Sequence, residues 1–238
     1  MDYYRVLTEQ APDGEELVHF INAVTTNKTE FFREAHHFAY LRERWVPALQ
    51  ARIVQDAAPI VRIWSAGCSS GEEPYSVAMT VVDALEGTAG YDLKILASDI
   101  DTDVLTRAEA TYTLEEVAAV PPPTLHRHFL RGTGAKSGLV QVRPSLRGLV
   151  IFRRINLLAH TWPIRTRFDI IVCRNVLIYF DPPTQGRLLG RLLDFLKDDG
   201  LLILGHSEAV HGIVDGFRHV GTTIYQKEID HAGHHPDR

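Results

Sequence analysis

A chain of 238 residues, 45% of them hydrophobic and 23% charged, can bury one substantial domain plus a small appendage, and it lies outside the low-hydrophobicity range of chains that stay disordered. No apolar run approaches the roughly 20 residues that span a bilayer, and the start MDYYRVLTEQ lacks the basic and apolar regions of a signal peptide, so neither membrane insertion nor a leader is expected and the location is expected to be cytoplasmic. The net charge of -5 argues against a general nucleic-acid binder, and the two cysteines, Cys68 and Cys173, far apart at strand ends, suit reduced thiols rather than a disulfide or zinc site.

From the amino end, Asp13 to Glu16 has the form of a carboxylate-capped helix start, followed by Leu17, Phe20, Ile21 and Val24 on one helical face. Thr29 predicts the cap of a second helix, TEFFREAHHFAYLRERW, which Pro47 interrupts. Residues 1–56 are thus expected to form a shortened helical segment ahead of a main domain at 57–238. The run IVRIWSA predicts a buried strand, followed by a turn of small residues and the helix PYSVAMTVVDAL with Pro74 in its first turn. KILASDID predicts a second strand ending in acids, with Asp101 capping TDVLTRAEA. FDIIVC and LLILG supply later strands around the helix PTQGRLLGRLLDFLK, and FRHVGTTIYQK suits an antiparallel strand closing the sheet. Strands alternating with helices imply an α/β protein whose mostly parallel sheet is covered on both faces.

Residues 118–155 interrupt that alternation. After Pro121 to Pro123 come the short helix TLHRHFL, the glycine-rich RGTGAKSG, and GLVQV and LVIFRRI, which predict antiparallel strands of a small inserted β-subdomain. From Val117 to Phe168 there is no Asp or Glu, while nine of the 25 basic residues fall there, leaving 16 basic against 30 acidic elsewhere. A field divided in this way steers an acidic partner towards the basic segment; an uneven solubilising bias is the plainer alternative. The terminal HAGHHPDR has three histidines but no ligand partners at fixed spacing, so it predicts a tail, and no metal is expected.

The segment WSAGCSSGEEPYS joins a strand to a helix. Its small residues let a ligand approach the backbone from Gly67 onward, and the helix start offers unpaired amides. Asp99 ends the next strand, where an acid accepts hydrogen bonds from ribose hydroxyls. Together they suggest a nucleoside cofactor, although a tight structural turn and a capping acid account for the same residues. Gly67 to Gly71 is G-x-x-x-G rather than the dinucleotide G-x-G-x-x-G, and no Lys-Ser/Thr follows as a P-loop needs.

TTNKTEFFRE, WSAGCSSGEEPYS, ASDID, INLL and CRNVLIYF occur in this order and, with RGTG and GHSE, closely resemble the CheR family of chemoreceptor glutamate methyltransferases over about Asn22 to Lys227. The resemblance implies a Rossmann-like class I methyltransferase sheet with an antiparallel last strand, S-adenosylmethionine as methyl donor and S-adenosylhomocysteine as product. It also implies glutamates on the cytoplasmic domains of chemoreceptors as acceptors, and a receptor C-terminal peptide docked on the β-subdomain. Carried onto matching positions, it places Asn27, Thr29, Arg33, Gly67, Glu73 and Asp99 at the cofactor. Asn156 with Leu157 and Arg174 with Asn175 join them, and Tyr179 beside the transferred methyl, with Arg33, makes the catalytic pair. Family members generally carry a longer helical N-terminal domain whose basic helix contacts substrate, whereas 26 residues precede Asn27 here.

A glutamate side chain is ionised near pH 7, its unperturbed pKa being about 4.3, so it needs no general base to attack a sulfonium methyl. Placement and exclusion of water are the main requirements. Arg33 suits a hold on either the incoming carboxylate or the carboxylate of the cofactor, and Tyr179 suits the wall of the methyl channel. The plain alternatives are a solvated helix charge for Arg33, core packing for Tyr179 and a turn cap for Asn175; His206 in GHSE is left structural. Two competing functions stand beside this one. A methyltransferase of RNA or a small molecule has little support from aromatic residues, since Phe129, Phe152, Trp162 and Phe168 are the only ones between Val117 and Phe168, and no nucleic-acid partner is expected. A cofactor-sensing adaptor without activity is the other, against which Arg33 and Tyr179 weigh.

Overall fold

The computed structural model describes residues 15–25, 27–55, 59–108 and 111–228; the expected Asp13 cap and the histidine-bearing tail lie outside them. Helix α1 (Glu15–Val24) is followed by an irregular strap and then by α2 (His36–Tyr40), a π-helical turn (Leu41–Trp45) and α3 (Val46–Gln55). Alternation then begins with β1 (Ile60–Ala66), α4 (Glu72–Ala84), β2 (Asp92–Asp99) and α5 (Thr102–Ala108). A small region follows, of β3 (Tyr112–Thr113), α6 (Pro122–His128), β4 (Phe129–Arg131), β5 (Leu139–Val142) and α7 (Pro144–Arg147). The chain returns to the main sheet with β6 (Val150–Arg154), β7 (Phe168–Cys173), α8 (Pro182–Phe195), β8 (Leu196–Leu204) and the hairpin β9 (Phe217–Gly221) and β10 (Ile224–Lys227).

The seven-stranded sheet runs β6-β2-β1-β7-β8-β10-β9. Its pairs are parallel as far as β8, and β10 and β9 are antiparallel. Alternate strand residues feed two cores. Val61, Ile63, Ile95, Ile170 and Val172 face one with Val77 and Val81 of α4, while Trp64, Ile171 and Leu202 face the other with Leu188, Leu189 and Leu192 of α8. Burial on both faces is why these strands are continuous apolar runs.

Four local expectations change. The run from Thr29 to Ala35 is not helical: Phe32 and Glu34 have φ of 55° and 59°, and helix begins only at His36. Phe31 instead packs edge-on between Tyr112 and Phe129, at ring separations of 5.0 and 5.7 Å, so tertiary packing overrides the local helical period. Pro47 does not end its helix; the chain passes from the π-turn into α3 with Pro47 inside it, the widened turn relieving the proline's clash with the preceding carbonyl. Finally, LVIFRRI does not pair in the small sheet. β6 lies parallel to β2 at the edge of the main sheet, and β3 takes the vacated place in the small antiparallel sheet, ordered β3-β5-β4. The closing segment is likewise a hairpin rather than one strand, with β10 between β8 and β9.

Candidate active site

A cavity of about 550 Å³ opens at the carboxyl ends of β1, β2 and β7. Strand order runs outward in both directions from β1 and β7, so this is the topological switch point at which α/β sheets leave a crevice. The floor is the turn between β1 and α4. Gly67 has φ of 86°, and a Cβ there would lie 2.5 Å from Val176 Cγ2, so glycine is required for both conformation and space. The Gly67 and Cys68 N–H groups donate to the Ser98 carbonyl at 2.7 and 2.9 Å, tying the turn to the end of β2. Gly71, at φ of 94°, would place a Cβ 2.9 Å from the Tyr112 hydroxyl, which itself donates to the Ser70 carbonyl at 2.8 Å. The small sheet is thereby fastened to the glycine turn.

At the end of β2, Asp99 is buried and accepts from the Ser69 N–H at 2.8 Å and the Asp101 N–H at 3.1 Å. Burial raises its pKa against the pull of these N–H groups. Asp101 was legible only as a helix cap. It does cap α5, accepting from the Asp103 and Val104 N–H groups, but its other oxygen accepts from Thr25 Oγ1 at 2.8 Å and Asn27 Nδ2 at 2.7 Å. This side chain therefore ties the start of the amino-terminal strap to the sheet.

Across the cavity Arg174, buried at the end of β7, pairs with Glu73 of α4 at 3.3 Å and with Glu34 of the strap at 3.4 Å, and donates to the Arg33 carbonyl. Ser65 Oγ donates to Glu73 at 2.7 Å. Burial lifts the Glu73 carboxyl above its ordinary range even though Arg174 and Ser65 draw it down. Burial also pushes Glu34 upward, but Arg174, the His206 N–H, His37 and Arg33 outweigh it and leave this carboxyl below its usual value. The Arg33 guanidinium donates to the Lys28 carbonyl at 3.0 Å at the cavity wall.

After β7 the chain turns through Asn175, at φ of 57°, into the segment that carries Tyr179. Glu208, from GHSE, shapes this turn: its buried carboxylate accepts from the N–H groups of Asn175 at 2.8 Å, Leu177 at 2.8 Å, Ile178 at 3.4 Å and Gly205 at 2.7 Å. A Cβ at Gly205 would lie 2.8 Å from Glu208 Oε2, so the glycine makes room for the acid. Tyr179 stands at the mouth, 57% exposed.

The cavity lining brings together Asn27, Thr29, Arg33, Gly67, Glu73 and Asp99 with Asn156, Leu157, Arg174, Asn175 and Tyr179. These are all the positions expected at the cofactor and the transferred methyl. Glu34, Asp101 and Glu208 were missed; the visible signal for Glu208 was an acid two residues beyond the noted His206.

A doubly wound sheet closed by an antiparallel hairpin, with a glycine turn, a buried acid at the end of β2 and a cavity at the switch point, has the architecture of a nucleoside-cofactor α/β protein, and the family match makes it a class I S-adenosylmethionine-dependent methyltransferase. The family model described as CheR methyltransferase, SAM binding domain, matches residues 27–226, and the chain belongs to that family. It is 48% identical over 218 residues to chemotaxis protein methyltransferase 2 of Pseudomonas aeruginosa, covering 91% of this chain and 75% of that protein. It is 47% identical over 223 residues to the chemotaxis protein methyltransferase of Klebsiella aerogenes, covering 93% and 73%. To that of Escherichia coli it is 45% identical over 229 residues, covering 96% and 77%. Among the described residues, no helix is long and apolar enough to cross a membrane.

Proposed function

We propose that the chain methylates glutamate side-chain carboxylates on the cytoplasmic domains of bacterial chemoreceptors, in the cytoplasm, yielding methyl esters and S-adenosylhomocysteine. The observation that carries this proposal is the convergence of Asp99, the Glu73–Arg174 pair, Arg33 and Tyr179 on one cavity of about 550 Å³, within the size range of small-molecule sites. The donor set fits an adenosyl amino acid. Asp99 offers carboxylate oxygens to ribose hydroxyls, the Gly67 turn leaves the backbone open to close approach, and Arg174 with Glu73 presents opposite charges to a carboxylate and an ammonium group. Asn27, Thr29, Asn156, Leu157 and Asn175 complete the cofactor contacts. The bound cofactor supplies an electrophilic methyl on a sulfonium. The acceptor carboxylate oxygen forms the new C–O bond as the C–S bond breaks and sulfur keeps the electron pair, so no proton moves and no base is needed.

Arg33 and Tyr179 orient the acceptor from the mouth. Arg33 has a guanidinium for a carboxylate, and the exposure of Tyr179 leaves its ring to be covered by an incoming helix. Docking of a receptor C-terminal peptide as an added strand is supported by the outer edges of β3 and β4 in the small sheet and by the exposed Arg131 and Lys136. Arg127 contributes less to that field than its sequence position suggested, because Asp83 and Glu86 pair with it at 3.2 and 2.9 Å.

The test is transfer of labelled methyl from S-adenosylmethionine to a receptor cytoplasmic fragment, with RNA and buffer as parallel acceptors. Label on the receptor released as methanol by mild base is the expected result. Base-stable label, label on RNA, or cofactor binding without transfer would each overturn the assignment.

A further inference from the structure

We propose that Glu34, His36 and His37 form a binding site for a divalent transition-metal ion, zinc being the member that suits the donors, beside the cofactor cavity rather than within it. No metal is expected from the sequence; the irregular strap and the start of α2 bring these three side chains together.

One ring nitrogen of His37 is already engaged: Nε2 shares a hydrogen bond of 2.9 Å with the Thr223 hydroxyl, which leaves Nδ1 as the ring atom open to a ligand. This atom is buried, has no hydrogen-bond partner, and faces Glu34 Oε2 at 3.5 Å. A ring nitrogen without a partner in a side chain only 2% exposed, aimed at a carboxylate oxygen that Arg174 also contacts, suits a shared cation. A histidine whose other ring nitrogen is hydrogen-bonded to an oxygen has the usual orientation of a metal ligand.

Geometry and charge agree with an ion. Metal–ligand bonds of about 2.0–2.1 Å in a tetrahedron separate neighbouring donors by roughly 3.3 Å, close to the 3.5 Å between Nδ1 and Oε2. The His36 ring lies 4.0 Å from the His37 ring, and one donor atom from each of Glu34, His36 and His37 falls within 4.8 Å of the others. Arg174 pairs with both Glu34 and Glu73, so neither carboxylate has that cation to itself. The exposed His36 gives the ion access from solvent.

The test uses the full chain with His231, His234 and His235 each replaced by Asn, which removes the tail histidines as competitors. Chelator-stripped protein is titrated with Zn2+ by calorimetry and with Co2+ by visible absorption. One equivalent of Zn2+ and the intense bands of four-coordinate Co2+ are expected, with affinity falling at least about tenfold in His36→Ala and in Glu34→Gln. The absence of stoichiometric binding, or an affinity and Co2+ spectrum unchanged in His36→Ala, would overturn the site. The exposed His36 side chain keeps the test decisive even where Glu34→Gln fails to fold.

Discussion

Two segments face each other across the cavity, and each hangs on a buried carboxylate by a different kind of bond. The Asn175–Ile178 turn gives three backbone N–H groups to Glu208, whereas Thr25 and Asn27 give side-chain donors to Asp101. A wall held by its backbone leaves its side chains free for the ligand, so Asn175, Ile178 and Tyr179 all line the cavity. The strap commits side chains to its own fastening. Asn27 Nδ2 is bound to Asp101 at 2.7 Å, leaving its side-chain oxygen as the group for a ligand. The first wall should therefore fail as a unit when its acid is lost, and the second should loosen one bond at a time.

The largest effect is expected at Glu208→Ala, which strips the acceptor from four N–H groups at once and should cost about 4 kcal/mol in urea unfolding. Wild-type stability in that variant would break the contrast between the walls. Asp99→Ala comes next: loss of charge-assisted acceptors for the ribose should weaken S-adenosylmethionine binding about a hundredfold by calorimetry while the fold persists. Arg33→Ala should lower kcat about tenfold on a receptor fragment with a smaller change in cofactor affinity, since its role is argued for the acceptor. Asp101→Asn is the sharpest test of the strap. It keeps an oxygen to cap α5 but sets an amide against Asn27 Nδ2, so cofactor affinity should fall by about 1 kcal/mol and helix content should not change.

The smallest effect is one of pH. Burial, with Arg174 and His36 beside it, holds the native His37 imidazole down to about 3, whereas the unfolded one titrates near 6.5. Its contribution to stability is thus complete above pH 6.5 and is lost as pH falls from there towards 3. In chelator-treated protein, His37→Gln should flatten the pH dependence of unfolding in that window by up to about one proton.

The alternation of buried runs with amphipathic helices was legible because strands covered on both faces leave a continuous apolar signature, as IVRIWSA and FDIIVC do. The glycine turn and Asp99 were legible because a close backbone approach and a strand-end acid leave local marks. The strap was not. Phe31 and Glu34 keep a helical period, but their partners, Tyr112, Phe129 and Arg174, lie far along the chain. LVIFRRI alternates buried and exposed residues from Val150 to Arg153, which marks an edge strand but carries no information on whether its neighbour runs parallel or antiparallel. Glu208 was overlooked for a similar reason, since a carboxylate that accepts backbone N–H groups needs no particular side chains around it.

The central claim is that the methyl donor sits between these two walls, and hydrogen exchange measures it most directly. On adding S-adenosylmethionine, the amides of Asn27–Arg33 and of Asn175–Ile178 should slow together, while those of β5 in the small sheet keep their rates. Protection confined to the small sheet, or absent from both walls at saturating cofactor, would contradict it.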